Sequence, residues 1–266
     1  MLLDVIRMAQ ADRNRWDAKI MLHTIREMEQ AFSRLEMFKR RRKVTVFGSA
    51  RTAPDHPLYA VARDMGAALA ANDYMAITGA GGGIMTATHE GAGLDHSLGF
   101  NITLPFEQRS NTVVHGTSHD LAFGFFFLRK LFFVKEADAL ILCPGGFGTL
   151  DEALEVLTLV QTGKSPMVPI ILLDQPGGQY WQAFTQFVRS QLADSAYIHP
   201  DDINLLTPCN SPAEAMQVVL SFYSNYHSSR RVGEQFMLRL NRPLNEQALA
   251  QLDTRFGHIC VSGGFG

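Results

Sequence analysis

The chain has 266 residues, 46% hydrophobic and 19% charged, and 24 Lys and Arg against 26 Asp and Glu leave it at −2. That length suits one large domain or a domain with an appendage, and so mild a charge excludes a protein that works mainly by coating a phosphate backbone. The longest apolar run, Leu121 to Leu128, stops at Arg129 and Lys130, far short of the roughly 20 residues a membrane helix needs, so no membrane partner is expected.

The amino terminus meets Asp4 and Arg7 at once and lacks the order of a secretion signal, which makes a cytoplasmic protein the expectation. Residues 1–43 hold 11 Lys or Arg and 6 Asp or Glu, a local +5 against −7 for the remainder, and read as a helical extension. Ala18, Met21, Ile25, Met28, Phe32 and Leu35 fall on one helical stripe. Such a stripe packs either on the main domain or against a second subunit, and a homodimer or larger homo-oligomer is expected through this helix or those of the main domain. The run Lys39 to Lys43 reads as a solvated helix end whose cations suit the negative pole of the dipole, so no nucleic-acid partner is expected.

From Val44 to Tyr226 short apolar runs alternate with helical stretches, the pattern of βαβ units and a parallel sheet. Strands are expected near 44–48, 74–78, 98–103, 138–143, 168–173 and 203–206, and helices near 57–72, 83–94, 126–136, 149–161, 180–192 and 212–226. The fold class that follows is α/β, a Rossmann-like doubly wound parallel sheet with ligands at the carboxyl ends of its strands. Residues 227–266 form a further extension, with a strand at Phe236 to Leu240 and a short helix at Asn245 to Arg255. Cys143, Cys209 and Cys260 are widely spaced without a CxxC pair, so reduced thiols are expected.

Three expected strands end in glycine-rich loops: Gly48-Ser49-Ala50-Arg51, Thr78-Gly79-Ala80-Gly81-Gly82-Gly83 and Pro144-Gly145-Gly146-Phe147-Gly148-Thr149. Glycines let the backbone approach an anion, and a helix that starts there offers free N–H groups. Familiar motifs do not account for these loops. The second has Ile84 where a dinucleotide fingerprint needs its last glycine, which disfavours NAD. Gly163-Lys164-Ser165 follows a helix and has Thr158 in place of the first P-loop glycine. His115 and His119 lack the intervening Glu of a zinc helix, and no GxSxG elbow is present. Neither a metal nor a cofactor is expected.

The third loop runs into Leu150-Asp151-Glu152, so the whole reads PGGxGTxxE. A helix cap at Thr149 with Glu152 three residues later explains two of these residues but none of Pro144, Gly145, Gly146 and Gly148. This signature resembles that of the Lonely Guy (LOG) family of cytokinin-activating phosphoribohydrolases, once widely labelled lysine decarboxylase-like, at every fixed position. Arg129-Lys130 stand where the family has an Arg-Lys pair, whereas the preceding residues, often Met-His, are Phe126-Phe127 here. Gly48-Ser49, the loop from Gly79 to Met85, and the segment from Leu104-Pro105-Phe106-Glu107-Gln108 to Asn111 also resemble the family.

The resemblance implies hydrolysis of a nucleoside 5′-monophosphate, AMP-like or a cytokinin riboside monophosphate, to free base and ribose 5-phosphate. It implies Glu152 and Arg129 as catalytic residues, with substrate or phosphate held by Ser49, Gly81, Gly82, Gly83, Gly145, Gly146, Gly148, Thr149, Lys130 and Asn111. Breaking the glycosidic bond builds positive charge on the sugar, so a carboxylate at Glu152 suits stabilising that cation, positioning water or holding the ribose hydroxyls. Arg129 suits the phosphate or the departing base. The alternative is a carrier that binds a nucleotide or related phosphorylated ligand without cleaving it.

Overall fold

The computed structural model describes residues 2–11, 14–103 and 109–266, and the family-like stretch at 104–108 lies outside them. The chain forms two compact units, Met1–Val219 and Leu220–Gly266. In the first, helix α1 is Leu2–Gln10 and α2 is Arg15–Leu35, whose amino end is capped by the Asn14 side chain accepting from Asp17 N. The apolar stripe divides along α2. Ala31 and Leu35 are buried and Phe32 meets the Phe132 ring edge-on at 5.1 Å, whereas Ile25 is exposed one turn or more earlier.

Seven parallel strands follow: β1 Lys43–Phe47, β2 Met75–Thr78, β3 Ser97–Ile102, β4 Asp120–Phe123, β5 Ala139–Leu142, β6 Ile170–Leu173 and β7 Leu206–Cys209. Their spatial order is β4-β3-β2-β1-β5-β6-β7, the doubly wound arrangement expected, with the direction of winding reversing between β1 and β5. The helices are α3 Pro57–Ala71, α4 Ile84–Ala92, α5 Phe126–Glu136, α6 Phe147–Gln161, α7 Tyr180–Phe187 and α8 Pro212–Phe222. Strands β1, β2, β5 and β6 are buried along their whole length, as predominantly apolar strands covered on both faces must be. Phe100, Phe123, Phe132 and Phe133 pack as a ring cluster between sheet and α5. No helix of the described residues is long and apolar enough to cross a membrane.

Several expectations are corrected. The strand placed at 203–206 is largely a 3₁₀ segment, Pro200–Leu205, because His199 and Asp202 form a capping box with Pro200 at the first helical position; β7 begins only at Leu206. Strand β4 was hidden inside the apolar run that continues into α5. The helix expected over 180–192 stops at Phe187 and continues as a π-helical turn, Val188–Ala193. The helix expected to reach Tyr226 ends at Phe222, and in the second unit β8, Tyr226–Val232, pairs antiparallel with β9, Gln235–Leu240. There α9, Glu246–Phe256, starts where Asn245 accepts from Ala248 N at 2.8 Å.

The basic run does begin at the helix end, with Lys39 capping the 3₁₀ turn Glu36–Phe38 that continues α2, but only Lys39 and Arg40 of it are solvent-exposed. Arg41 pairs with Asp73 at 3.1 Å and Arg42 with Asp138 at 3.1 Å. Lys43 is buried, its Nζ 3.2 Å from the equally buried Glu136 carboxylate, which Lys135 also meets. Removing Lys43 would leave the buried Glu136 carboxylate with only the half-exposed Lys135 to answer it, in a medium that solvates it poorly. Lys43→Met is therefore expected to lower stability by on the order of 3 kcal/mol in urea denaturation, and Lys43→Met combined with Glu136→Met to recover most of that loss. A single variant within about 0.5 kcal/mol of the parent would show the pair to be dispensable.

Candidate active site

The three glycine loops meet where the sheet reverses its winding, and Ser49 joins them. Its N–H donates to the Pro144 carbonyl at 3.1 Å and its carbonyl accepts from Ile84 N at 3.0 Å, while its Oγ accepts from Arg51 N at 3.1 Å. The loops approach one another closely enough to dictate glycine at two places. Gly83 has φ +60 and a Cβ there would lie 2.3 Å from Ser49 O; a Cβ on Gly145 would lie 2.2 Å from Thr149 Oγ1 and 2.9 Å from Ser49 N. By contrast, a Cβ on Gly146 or Gly148 would meet no atom within 4 Å. Those two line open space at the first turn of α6, where backbone N–H groups have no helical partner.

Helix α6 begins at Phe147 with Gly146 as its cap residue and no side-chain cap bond. Thr149 is thus inside the helix, and the capping-box alternative for Thr149 and Glu152 does not form. Thr149 is buried against Gly145, and Phe147 is 93% exposed. Glu152 is 4% exposed; its Oε1 lies 3.7 Å from Lys130 Nζ, and its Oε2 is buried with no hydrogen-bond partner. Burial pushes the Glu152 carboxyl up to about 7, with Lys130 and Arg129 opposing and Glu155 and Asp151 reinforcing.

Arg129 and Lys130 leave α5 in different directions, as adjacent helical residues must. The Arg129 guanidinium stacks over Phe133 and Phe126, 5.3 and 5.6 Å from the ring centroids, and reaches within 3.7 Å of where a Cβ on Gly79 would stand. Its Nε is buried without a partner, and burial lowers its pKa against the pull of Glu152. Lys130 is instead claimed by carboxylates: Glu155 at 2.7 Å, Asp151 at 2.8 Å and Glu152 beyond. Burial alone would lower its pKa, but these neighbours raise it.

Asn111 lies under the second loop, its N–H donating to Ala80 O at 2.7 Å and its Nδ2 reaching Gly81 O at 3.4 Å. The same side chain contacts His89 Nδ1 at 3.1 Å, and His89 Nε2 lies 3.1 Å from Thr78 Oγ1 and 3.2 Å from Leu98 O. Burial holds His89 down to about 4, so this chain of hydrogen bonds runs through a neutral imidazole at physiological pH. Gly81 O also accepts from Thr86 Oγ1 at 2.9 Å, and Gly82 would bring a Cβ to 3.2 Å from Ala50 O. The loop so fixed includes Ala80 at φ +59, an uncommon conformation for a side-chain-bearing residue. Neither His89 nor Tyr180, whose hydroxyl donates to Gly145 O at 2.7 Å, is marked in the sequence by any local pattern.

The structure thus gathers Ser49, Gly81, Gly82, Gly83, Gly145, Gly146, Gly148 and Thr149 at the ends of β1, β2 and β5. Arg129 stands beneath Gly79, and Glu152 lies farther along α6 with Lys130 beside it. A family model described as "Possible lysine decarboxylase" matches residues 82–219, more than half of the chain. The "Probable cytokinin riboside 5′-monophosphate phosphoribohydrolase LOGL3" of Oryza sativa subsp. japonica is 33% identical over 99 residues, 37% of this chain and 44% of the relative. The cytokinin riboside 5′-monophosphate phosphoribohydrolase LOG7 of Arabidopsis thaliana is 39% identical over 72 residues, 27% of this chain and 31% of the relative. The chain spans less than half the length of these curated relatives. An X-ray structure solved as a structural-genomics target shares the fold, with a TM-score of 0.51 at 24% identity over 68% of this chain and 99% of that one. By the family match, which contains the PGGxGTxxE segment, the chain belongs to the "Possible lysine decarboxylase" family, that is, the LOG family.

Proposed function

We propose that the chain hydrolyses the N-glycosidic bond of a nucleoside 5′-monophosphate, releasing the free base and ribose 5-phosphate. One observation carries the reading: Glu152 is a buried carboxylate with an unpartnered oxygen, within electrostatic reach of Arg129, on the helix whose amino end is the third glycine loop. The names of the matched relatives support the same reaction class. In this reading the 5′-phosphate sits over Gly146 and Gly148, where the α6 N–H groups and dipole receive it. The C1′–N bond breaks with its electron pair going to the base, which takes up a proton. Water adds its oxygen to C1′ and gives up a proton. Glu152 serves that step by stabilising the cationic sugar, positioning the water or holding the ribose hydroxyls; the first two roles need the ionised carboxylate, and the third is strongest with it. Arg129 assists the departing base or the phosphate. Simple binding of the phosphate would need only the glycine loops and Thr149, so the presence of both Glu152 and Arg129 favours cleavage over carriage.

The direct test is a panel of purine and pyrimidine monophosphates, cytokinin riboside monophosphates and the matching nucleosides, scored for free base. Cleavage of a monophosphate with little cleavage of its nucleoside is expected, because the loops bind the phosphate. Equal rates on AMP and adenosine would contradict that use of the loops. Binding of nucleotide with no base released from any member would favour the carrier.

Glu152→Gln separates catalysis from stability. Loss of the charge is expected to slow cleavage by roughly 10²–10³, the usual effect of removing one preorganised electrostatic partner, while nucleotide affinity stays within about tenfold. Stability moves the other way. A carboxyl raised from 4.5 to about 7 in the folded chain binds protons more readily there than when unfolded, so stability falls as pH climbs through that interval. At pH 8 the variant should melt about 2–4 °C higher, the shift expected for ~1 kcal/mol in a domain of this size. A folded variant that cleaves at the parental rate would reduce Glu152 to a packing residue.

A further inference from the structure

A second cleft, of about 310 Å³, lies at the carboxyl ends of β6 and β7, lined by Asp174, Trp181, Thr185, Arg189 and Asn210 among others. Three features of it are unexplained by folding alone. Asp174, immediately after β6, is 6% exposed; its Oδ1 accepts from Gln175 N at 2.8 Å, but its Oδ2 is buried without a partner. Among the described residues no cation lies within ion-pair distance of it, and a buried carboxylate without a counter-charge is costly. The Thr185 hydroxyl is also buried without a partner. Arg189 is carried on the π-helical turn Val188–Ala193, a distortion frequent at functional sites because the extra residue in the turn re-aims the side chains around it.

We propose that this cleft binds a free α-amino acid, with its ammonium toward Asp174 and its carboxylate toward Arg189. A neutral sugar would leave the Asp174 charge uncompensated, and a phosphorylated one would bring a second anion toward it. A metal ion would find a single carboxylate, since the described residues hold no group of three His, Cys, Asp or Glu fit for one. Cys209, also on the wall, stays a thiol because burial first and Glu214 second push it up to about 11. A ligand carrying one positive and one negative end answers both charged groups at once, and the volume sits at the lower end of the range for small-molecule sites.

Calorimetric titration of the full chain with each common L-α-amino acid tests this, with putrescine and propionate as probes that carry only one of the two charged ends. At least one amino acid should bind with 1:1 stoichiometry, and putrescine and propionate at least tenfold more weakly. Asp174→Asn and Arg189→Ala should each weaken the best binder by about tenfold or more, the size of one charge-assisted hydrogen bond. Arg189 is exposed, so its variant keeps the test meaningful even if Asp174→Asn fails to fold. The proposal is overturned if no amino acid binds at millimolar concentration, if putrescine or propionate matches the best of them, or if a folded variant binds as the parent does. The readout is binding, so the result stands whether or not any nucleotide is cleaved.

Discussion

A carboxylate withdrawn from water becomes a weaker acid unless cations answer it, and at Glu152 burial outweighs the two cations at hand. Lys130 is shared among three carboxylates, and Arg129 is itself drawn into an apolar niche between Phe126 and Phe133. Neither is free to neutralise Glu152 fully. The site is therefore left with a carboxyl raised to about 7 and an unpaired oxygen, an arrangement that costs stability.

Rigid loops are what such a carboxylate needs around it. The reversal of the sheet between β1 and β5 opens the crevice, and Ser49 bonds the loops on either side through its own backbone rather than through mobile side chains. Beneath the second loop the chain Thr78, His89, Asn111 reaches the Ala80 and Gly81 carbonyls. Backbone carbonyls so occupied help hold Ala80 in its left-handed conformation and fix the loop around it. The same economy of backbone contacts explains why Gly83 and Gly145 admit no side chain while Gly146 and Gly148 border open space.

Local pattern revealed the parts of this structure that depend on local causes. Continuous apolar runs marked β1, β2, β5 and β6, since strands covered on both faces read that way whatever their neighbours. Strand β4 escaped because Leu121 to Phe123 merge with the apolar start of α5, with only Gly124 to suggest a break. Pro200 and the His199–Asp202 box displaced β7 by competing locally for residues whose composition alone suggested a strand. The glycines and Glu152 stood out because their spacing is itself the signal. Long-range partners left no trace: Asn111 to His89 spans 22 residues and Tyr180 to Gly145 spans 35, distances over which sequence pattern carries no geometry. Thr149 and Glu152 fit a capping box equally well on paper, and only the start of α6 at Phe147 separated the two readings.

The dependence of kcat/KM for a nucleoside monophosphate on pH, compared between the parent and Glu152→Gln, tests the central role of Glu152 most directly. That ratio reports groups of the free enzyme and free substrate, and the substrate's own phosphate ionisation, at about 6, is common to both. With the carboxyl raised to about 7, the reactive ionised form should be lost as pH falls, giving an acidic limb that bends near 7 and drops about tenfold per unit below it. The residual activity of Glu152→Gln should lack that limb. A profile level from pH 8 down to 5, or the same limb in the variant, would show that the reaction does not turn on the Glu152 charge.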